Sequence, residues 1–415
     1  MPPLTAQEIG TAAAAATRST GPEPSGRPGA GGGRGSLADT VAAAECLLTR
    51  RSGAPVRLAD PEDLGGSGRS RVVRVRVAEN PFSLPRTLVL KHSLTESADA
   101  FRCEAASFQL ATALPAQDRA APTLVANDPE RRLLVLEDLG RCASLADRLG
   151  SDDPKGAERA LLGWARALGR LQAATAGHED DFGALLRRFG VRSWRDPLAE
   201  EARLALAEVP DLLARRLRVE AAPAAVAQAR AAARLLGGTA DRAFSPSEVC
   251  PDNCLVTGAG ARFLDFEWGS FRDVAFAAAS LRVPFPGCGT AHRLPAGMAE
   301  AMTASWQAEV ATVWPALGEP EVAGPRLLQA ELLWVWLCTR ALLPRVVGRG
   351  PVPDQVVVAD PGSRRAAVLG TQWRRLRDEA DRLGVDATAT LAAAVTDALD
   401  EYGGATPLPP FPAFA

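Results

Sequence analysis

The stretch Ser245-Pro-Ser-Glu-Val-Cys-Pro-Asp-Asn-Cys-Leu-Val-Thr-Gly-Ala-Gly-Ala-Arg-Phe-Leu-Asp-Phe-Glu267 decides how the chain folds. Two short apolar segments, 254–256 and 262–264, flank Thr257-Gly-Ala-Gly260, which predicts a small hairpin with a glycine-bearing turn. A hairpin brings its outer ends together, so Asn253, before the first strand, and Asp265, after the second, are expected to be neighbours. An amide oxygen beside a carboxylate is a pair of hard oxygen donors suited to Mg²⁺. Glu248 lies five residues before Asn253 on the incoming loop, a place from which a carboxylate meets a substrate hydroxyl.

An acidic residue, four residues, an Asn, then a hairpin ending in Asp265-Phe266 is an order that suits phosphoryl transfer. On these residues the chain resembles the aminoglycoside phosphotransferase and choline kinase family, relatives of the protein kinases. That family usually reads His-Gly-Asp, four residues, Asn, then Asp-Phe or Asp-Trp. Here the first three positions are Pro246, Ser247 and Glu248. The resemblance implies ATP and Mg²⁺ as cofactors, with Asn253 and Asp265 holding the metal and Glu248 as the base. Glu267, two residues from Asp265 and on the same strand face, is a further metal candidate, with a capping or salt-bridging role as the alternative.

Glutamate has an acidity similar to aspartate, so the chemistry survives the exchange. Its extra methylene moves the carboxylate by about 1 Å on a fixed backbone, a misplacement that can cost about 10²-fold in rate. Pro246 removes a donor and restricts φ, so the loop is either reshaped around the longer side chain or relaxed from catalytic constraint. The first alternative gives an ATP- and Mg²⁺-dependent phosphotransferase acting on a hydroxyl of a small molecule. The second gives a weak or inactive nucleotide-binding pseudokinase that works as an interaction module.

Working outward, the rest of the small lobe falls into place. Leu64-Gly-Gly-Ser-Gly-Arg-Ser70 leads into Val72-Val-Arg-Val-Arg-Val77, which alternates apolar and basic as a half-buried strand should. Gly66, Ser67 and Gly68 are therefore candidates for a flap over nucleotide phosphates, where backbone N–H groups approach an anion closely. Residues 87–91 form the next strand, ending in Lys91. The chain holds only two lysines, Lys91 and Lys155, among its 47 basic residues. A lysine at the end of a buried strand is thus a specific choice, and the resemblance gives it the nucleotide's α- and β-phosphates. Residues 99–110 have helical period, and Glu104 within them is the candidate ion-pair partner of Lys91, with Glu96 as competitor. Residues 123–127 and 133–137 form a strand, turn and strand, followed by Asp138-Leu-Gly140. The resemblance makes this a hinge, with the backbone of Glu137 to Leu139 against the adenine edge.

Beyond the hinge the period turns helical: 145–149, 156–174, 198–208, 211–219, 223–236, then, past the catalytic stretch, 296–313, 325–343, 363–383 and 388–402. Gly269-Ser-Phe-Arg-Asp273 resembles the family's Gly-Asp-Pro segment, with Ala277 where a further aspartate is usual. Trp268, Asp273, Glu331, Trp334 and Trp336 are candidates to line an acceptor pocket. The expected fold is α+β: a protein-kinase-like, two-lobed arrangement with a small antiparallel sheet and one helix, then a larger, mainly helical lobe. Residues 1–36, rich in Gly, Pro and Ala, are expected to be a disordered tail, 37–138 the small lobe, 139–403 the helical lobe and 404–415 a loose tail.

Composition excludes several classes. A net charge of −2 gives no basic footprint for nucleic acid or an anionic membrane. No apolar run spans a bilayer: residues 332–347 are short and broken by Arg340 and Pro344. The run Ala12–Ala16 lacks the basic start and apolar centre of a secretory signal. Seven scattered cysteines suit a reducing compartment, so a cytoplasmic location is expected. Three histidines, His92, His178 and His292, leave a serine-nucleophile triad without its base, and a metallohydrolase without its ligand cluster. The sequence leaves the oligomeric state open.

Overall fold

A five-stranded antiparallel sheet forms one end of the chain in the computed structural model, which describes residues 36–66, 69–79, 84–94, 97–247, 249–283, 291–347 and 361–415. Its strands β1 (Arg57–Asp63), β2 (Ser70–Glu79), β3 (Thr87–Ser93), β4 (Leu124–Asp128) and β5 (Leu133–Glu137) lie in the order β1-β2-β3-β5-β4. Strand alternation gives the sheet two different faces. Val73, Val75, Leu88, Leu90, Leu133 and Val135 are fully buried on the rear face, against Ala44, Leu47 and Leu48 of helix α1 (Leu37–Ser52). Helix α1 starts with a capping box, in which Ser36 and Asp39 each accept from the other's backbone N–H.

The other face looks into the cleft. Register sets Val72 against Lys91, Arg74 against Val89, and Lys91 against Leu134. Leu134 and Leu136 continue into the central core together with Phe101, Cys103 and Phe108 of helix α2 (Ala98–Ala113).

The larger lobe consists of α3 (Leu145–Leu149), α4 (Pro154–Thr175), α5 (Glu179–Arg188), α6 (Pro197–Leu217), α7 (Pro223–Ala232), α8 (Val274–Ala278), α9 (Met298–Val310), α10 (Pro320–Val346), α11 (Pro361–Arg382) and α12 (Asp386–Asp400). Two small antiparallel sheets, β6 (Arg242–Ser245) with β9 (Ser270–Asp273) and β7 (Cys254–Thr257) with β8 (Gly260–Phe263), carry the decisive stretch. The architecture is the expected two-lobed, protein-kinase-like one. A distal helical core of α6, α7, α10, α11 and α12 lies away from the cleft.

Several expectations need correction. Residues 198–208 and 211–219 were expected as separate helices, but α6 runs unbroken through Pro210. Ala205, Val209, Leu213 and Leu217, one turn apart, are all buried on one face. Burying an aliphatic side chain such as Val209 or Leu213 stabilises by about 1.5–3 kcal/mol each, which offsets the roughly 3 kcal/mol of an interior proline. Residues 404–415 are docked rather than loose: Leu408, Phe411 and Ala413 are buried, Arg293 donates its N–H to the Pro409 carbonyl at 2.8 Å, and Phe411 stacks on His292. The disordered segment expected over residues 1–36 lies outside the described residues except for Ser36, which caps α1. Among the described cysteines, Cys46, Cys103, Cys142, Cys254 and Cys338 are free thiols. Among the described residues, no helix is long and apolar enough to cross a membrane.

Candidate active site

The β7–β8 hairpin pairs Cys254 with Phe263 and Thr257 with Gly260, leaving Gly258-Ala259 as a two-residue turn. Gly260 has φ 108°, a conformation that favours glycine. Thr257 Oγ1 secures the turn by donating to the Gly260 carbonyl at 2.8 Å and accepting from the Ala259 N–H at 3.2 Å. One step beyond the strands, the Leu264 N–H donates to the Asn253 carbonyl at 2.9 Å. That bond places Asn253 beside Leu264-Asp265, as the hairpin geometry requires.

The segment after the hairpin alternates strictly. Asp265 and Glu267 face the cleft with side chains about one-fifth exposed. Phe266 between them is fully buried, its ring 5.1 Å from that of Phe108 and nearly perpendicular to it. From the sheet above, Lys91 Nζ donates to Glu104 Oε1 at 2.5 Å and lies 3.5 Å from both Asp265 Oδ1 and the Leu264 carbonyl. The structure therefore brings Lys91, Glu104 and Asp265 together from strand, helix and loop. Glu96, the rival partner for Lys91, lies outside the described residues.

Charge and burial act against each other here. Burial opposes the Lys91 charge, but the Asp265 and Glu104 carboxylates outweigh it and hold its pKa above the usual lysine range. Burial pushes the Glu104 carboxyl up to about 7, against the pull of Lys91. Glu267 is also raised, by burial and by the neighbouring Asp265, while Arg69 acts in the opposite sense. Arg69 meets Glu267 at 2.8 Å. That contact was not singled out from the sequence; its only trace there is a basic residue directly after the glycine-rich turn.

The turn itself is closed by the Leu64 N–H to the Val72 carbonyl and the Val72 N–H to the Gly65 carbonyl, both 2.9 Å. Gly66 has φ 135°, and a Cβ there would sit 2.3 Å from the Ser70 carbonyl oxygen, so only glycine fits. Ser67 and Gly68 lie outside the described residues, as does Glu248.

At the hinge, Glu137 is tied into the sheet. Its N–H donates to the Thr123 carbonyl at 2.9 Å, and its carboxylate accepts from Thr123 N and Oγ1 at 3.2 and 2.8 Å. The Leu139 carbonyl accepts from the Cys142 thiol at 3.3 Å. Asp138 accepts two hydrogen bonds from Arg74 of β2, at 2.9 and 3.0 Å, and Arg74 also donates to the Gly140 carbonyl. Alternation along β2 puts Arg74 on the cleft face, but its hinge partner was not legible in the sequence.

Beneath the site, one buried guanidinium joins its two ends. Arg272, fully buried on β9, donates to Asp196 at 2.6 and 2.7 Å, to the Ser245 carbonyl at 3.1 Å and to the Trp268 carbonyl at 2.7 Å. Ser245 opens the loop that leads to Asn253, and Trp268 follows Glu267. Gln172 supports the same strand end, donating to Ser245 Oγ and to the Val274 carbonyl at 3.1 Å each. Among the acceptor-pocket candidates, three are committed to the fold instead. Asp273 is fully buried, caps α8 and pairs with Arg326; Glu331 is buried against Arg282 at 2.5 Å; Trp336 is fully buried in the distal core. Trp268 and Trp334 are partly exposed.

Asn253 and Asp265 offer hard oxygens, and Lys91, 3.5 Å from Asp265, offers a cation to an anion. Among the described residues no group of three or more His, Cys, Asp or Glu forms a metal cage. That donor set fits Mg²⁺, which keeps several waters and takes only one or two carboxylates plus substrate phosphates.

No protein-family model matches the chain, and no curated protein matches it. Among solved structures, it is similar to a choline/ethanolamine kinase family protein from Mesorhizobium loti, at 16% identity and a TM-score of 0.44 over 82% of this chain and 93% of that one. It is also similar to a choline kinase from Cryptosporidium parvum, at 10% identity and 0.43 over 81% and 92% of the two chains. An amicoumacin kinase in complex with AMP-PNP and Ca²⁺ matches at 10% identity and 0.39, over 81% and 93%.

Proposed function

We propose that this chain is an ATP- and Mg²⁺-dependent phosphotransferase acting on a hydroxyl group of a small molecule. The observation that carries this reading is the meeting of Lys91 with both Glu104 and Asp265. A lysine fixed by a helix carboxylate and set beside the acidic residue of a hairpin is an arrangement for gripping phosphates next to a cation. A Mg²⁺ ion held by Asn253 and Asp265 supplies neutralisation of the phosphate charge. The chain's own residues do the positioning. Lys91 holds the α- and β-phosphates, and Gly66 lets the backbone come close to them. Arg272 fixes both ends of the loop system on which Asn253 and Asp265 stand. Glu248, assigned from sequence alone, accepts the proton of the acceptor hydroxyl as its oxygen bonds to the γ-phosphorus and the bond to the departing ADP breaks.

The test is calorimetric. The unaltered protein is expected to bind ATP more tightly with Mg²⁺ than without it, and Asp265→Ala to lose that dependence. Absence of ATP binding in either condition would remove the reading.

The departure at Pro246-Ser247-Glu248 favours a second reading, a nucleotide-binding pseudokinase that acts through partners. Turnover of a hydroxylated acceptor by the unaltered protein, lost in Glu248→Ala, would rule that out. Turnover that appears only in Glu248→Asp would support it, since the shorter carboxylate restores the usual reach.

A further inference from the structure

The residue directly after the glycine-rich turn is an arginine whose guanidinium contacts a carboxylate of the metal-site segment. Arg69 and Glu267 are 2.8 Å apart, with side chains 30% and 18% exposed. The stem of Arg69 is fixed: its carbonyl accepts from the Leu94 N–H at 2.7 Å, one step beyond the Ser70–Ser93 pairing of β2 with β3. Its long side chain can therefore move while its backbone stays in place.

The cluster as it stands contains Glu104, Asp265 and Glu267 as acids and Lys91 and Arg69 as cations. It is one positive charge short of balance. A triphosphate arriving alone would meet three carboxylates and two cations that are both already paired, Lys91 with Glu104 and Arg69 with Glu267. A divalent cation arriving alone would meet Arg69 already seated on Glu267. Like charges a few ångströms apart in a half-buried site repel strongly. Both conflicts vanish together if the pair exchanges partners, Arg69 to phosphate oxygens and Glu267 to the cation or its waters.

We infer that Arg69 is a phosphate-contacting residue held in reserve on Glu267, and that exchange of this ion pair couples nucleotide binding to cation binding. The inference rests on the phosphotransferase reading. It deepens that reading by assigning a residue and a linkage to the phosphate site. Linkage is reciprocal, so the factor by which the cation tightens nucleotide binding is the factor by which the nucleotide tightens cation binding.

Calorimetry on the full chain tests it, with ATP in EDTA, ATP with Mg²⁺, and adenosine. Arg69→Ala is expected to bind ATP with Mg²⁺ about tenfold more weakly, the worth of one charge-assisted hydrogen bond, with adenosine binding unchanged. Glu267→Gln leaves Arg69 without its resting partner. It is expected to bind ATP in EDTA several-fold more tightly than the unaltered protein, and to gain less from Mg²⁺. Thermal unfolding checks that both variants fold. Arg69→Ala with unaltered affinity for ATP and Mg²⁺ would overturn the inference while leaving the phosphotransferase reading intact. So would Glu267→Gln with weaker ATP binding in both conditions, which is the result of a static brace. No ATP binding by the unaltered protein would overturn both.

Discussion

Glu104 is the residue on which pH should act. Burial raises its pKa to about 7, with Asp265 and Glu267 adding to the effect and Lys91 opposing it. Since its folded value lies above the ordinary 4.5, the folded chain holds this proton more tightly than the unfolded chain does. On the account of Glu104 alone, stability therefore falls as pH rises from the ordinary carboxylate range to about 7. Lys91, also raised, contributes stability that is present below its ordinary value of 10.5 and is lost only as pH climbs past the folded value. Phosphate gripping runs the other way from the Glu104 stability effect, because the ion pair needs an ionised Glu104. Affinity for ATP with Mg²⁺ should thus fall as pH drops through about 7, and a pH series of binding isotherms on Glu104→Gln should lack that inflection. Lys91 and Glu104 were legible because lysine is scarce in this chain and the helical period is clear. Arg69 and Arg272 were not. The reach of a guanidinium depends on how a turn or strand returns through space, and a fully buried arginine runs against the usual exposure of that side chain.

At the scale of elements, α4 and α9 cross closely at a glycine. A Cβ added to Gly169 of α4 would sit 2.8 Å from the Trp306 carbonyl oxygen and 3.0 Å from Glu309 Cβ, backbone and side chain of α9. Gly169→Ala should therefore force the helices apart, at a cost of about 1–3 kcal/mol, read as a lower urea midpoint with an unchanged slope. The hairpin was legible to within two residues because strand alternation and turn chemistry agree there. Helix α6 was not, since Pro210 is a local breaker and the apolar face that overrides it only counts once it is packed. The C-terminal residues misled for a related reason. Their proline-rich composition reads as a loose tail, while Leu408, Phe411 and Ala413 act as widely spaced anchors whose value depends on the surface they meet.

Across the whole molecule, the two lobes were legible from the order of strands and helices, but their joint core was not. Leu134, Leu136 and the inner face of α2 belong to the same buried cluster as α4, α5 and α9. The lobes should therefore unfold together. All eight tryptophans lie at Trp164 or beyond, so tryptophan fluorescence reports the larger lobe. Phe108→Ala, made in the smaller lobe at a site packed on Phe266, should lower the fluorescence-detected midpoint by an amount equivalent to about 3–5 kcal/mol, in one transition shared with far-UV circular dichroism. Two separate transitions would show that the lobes unfold independently.

Glu104 and Phe108 are one helical turn apart on α2. The carboxylate steadies Lys91, and the ring bears on Phe266, the residue that separates Asp265 from Glu267. An α-helix turns by about 100° for each residue, so rotating α2 by a single position would withdraw both side chains at the same moment. Lysine and metal-site segment are therefore both steadied by one element, so a substitution that displaces α2 would disturb the two together.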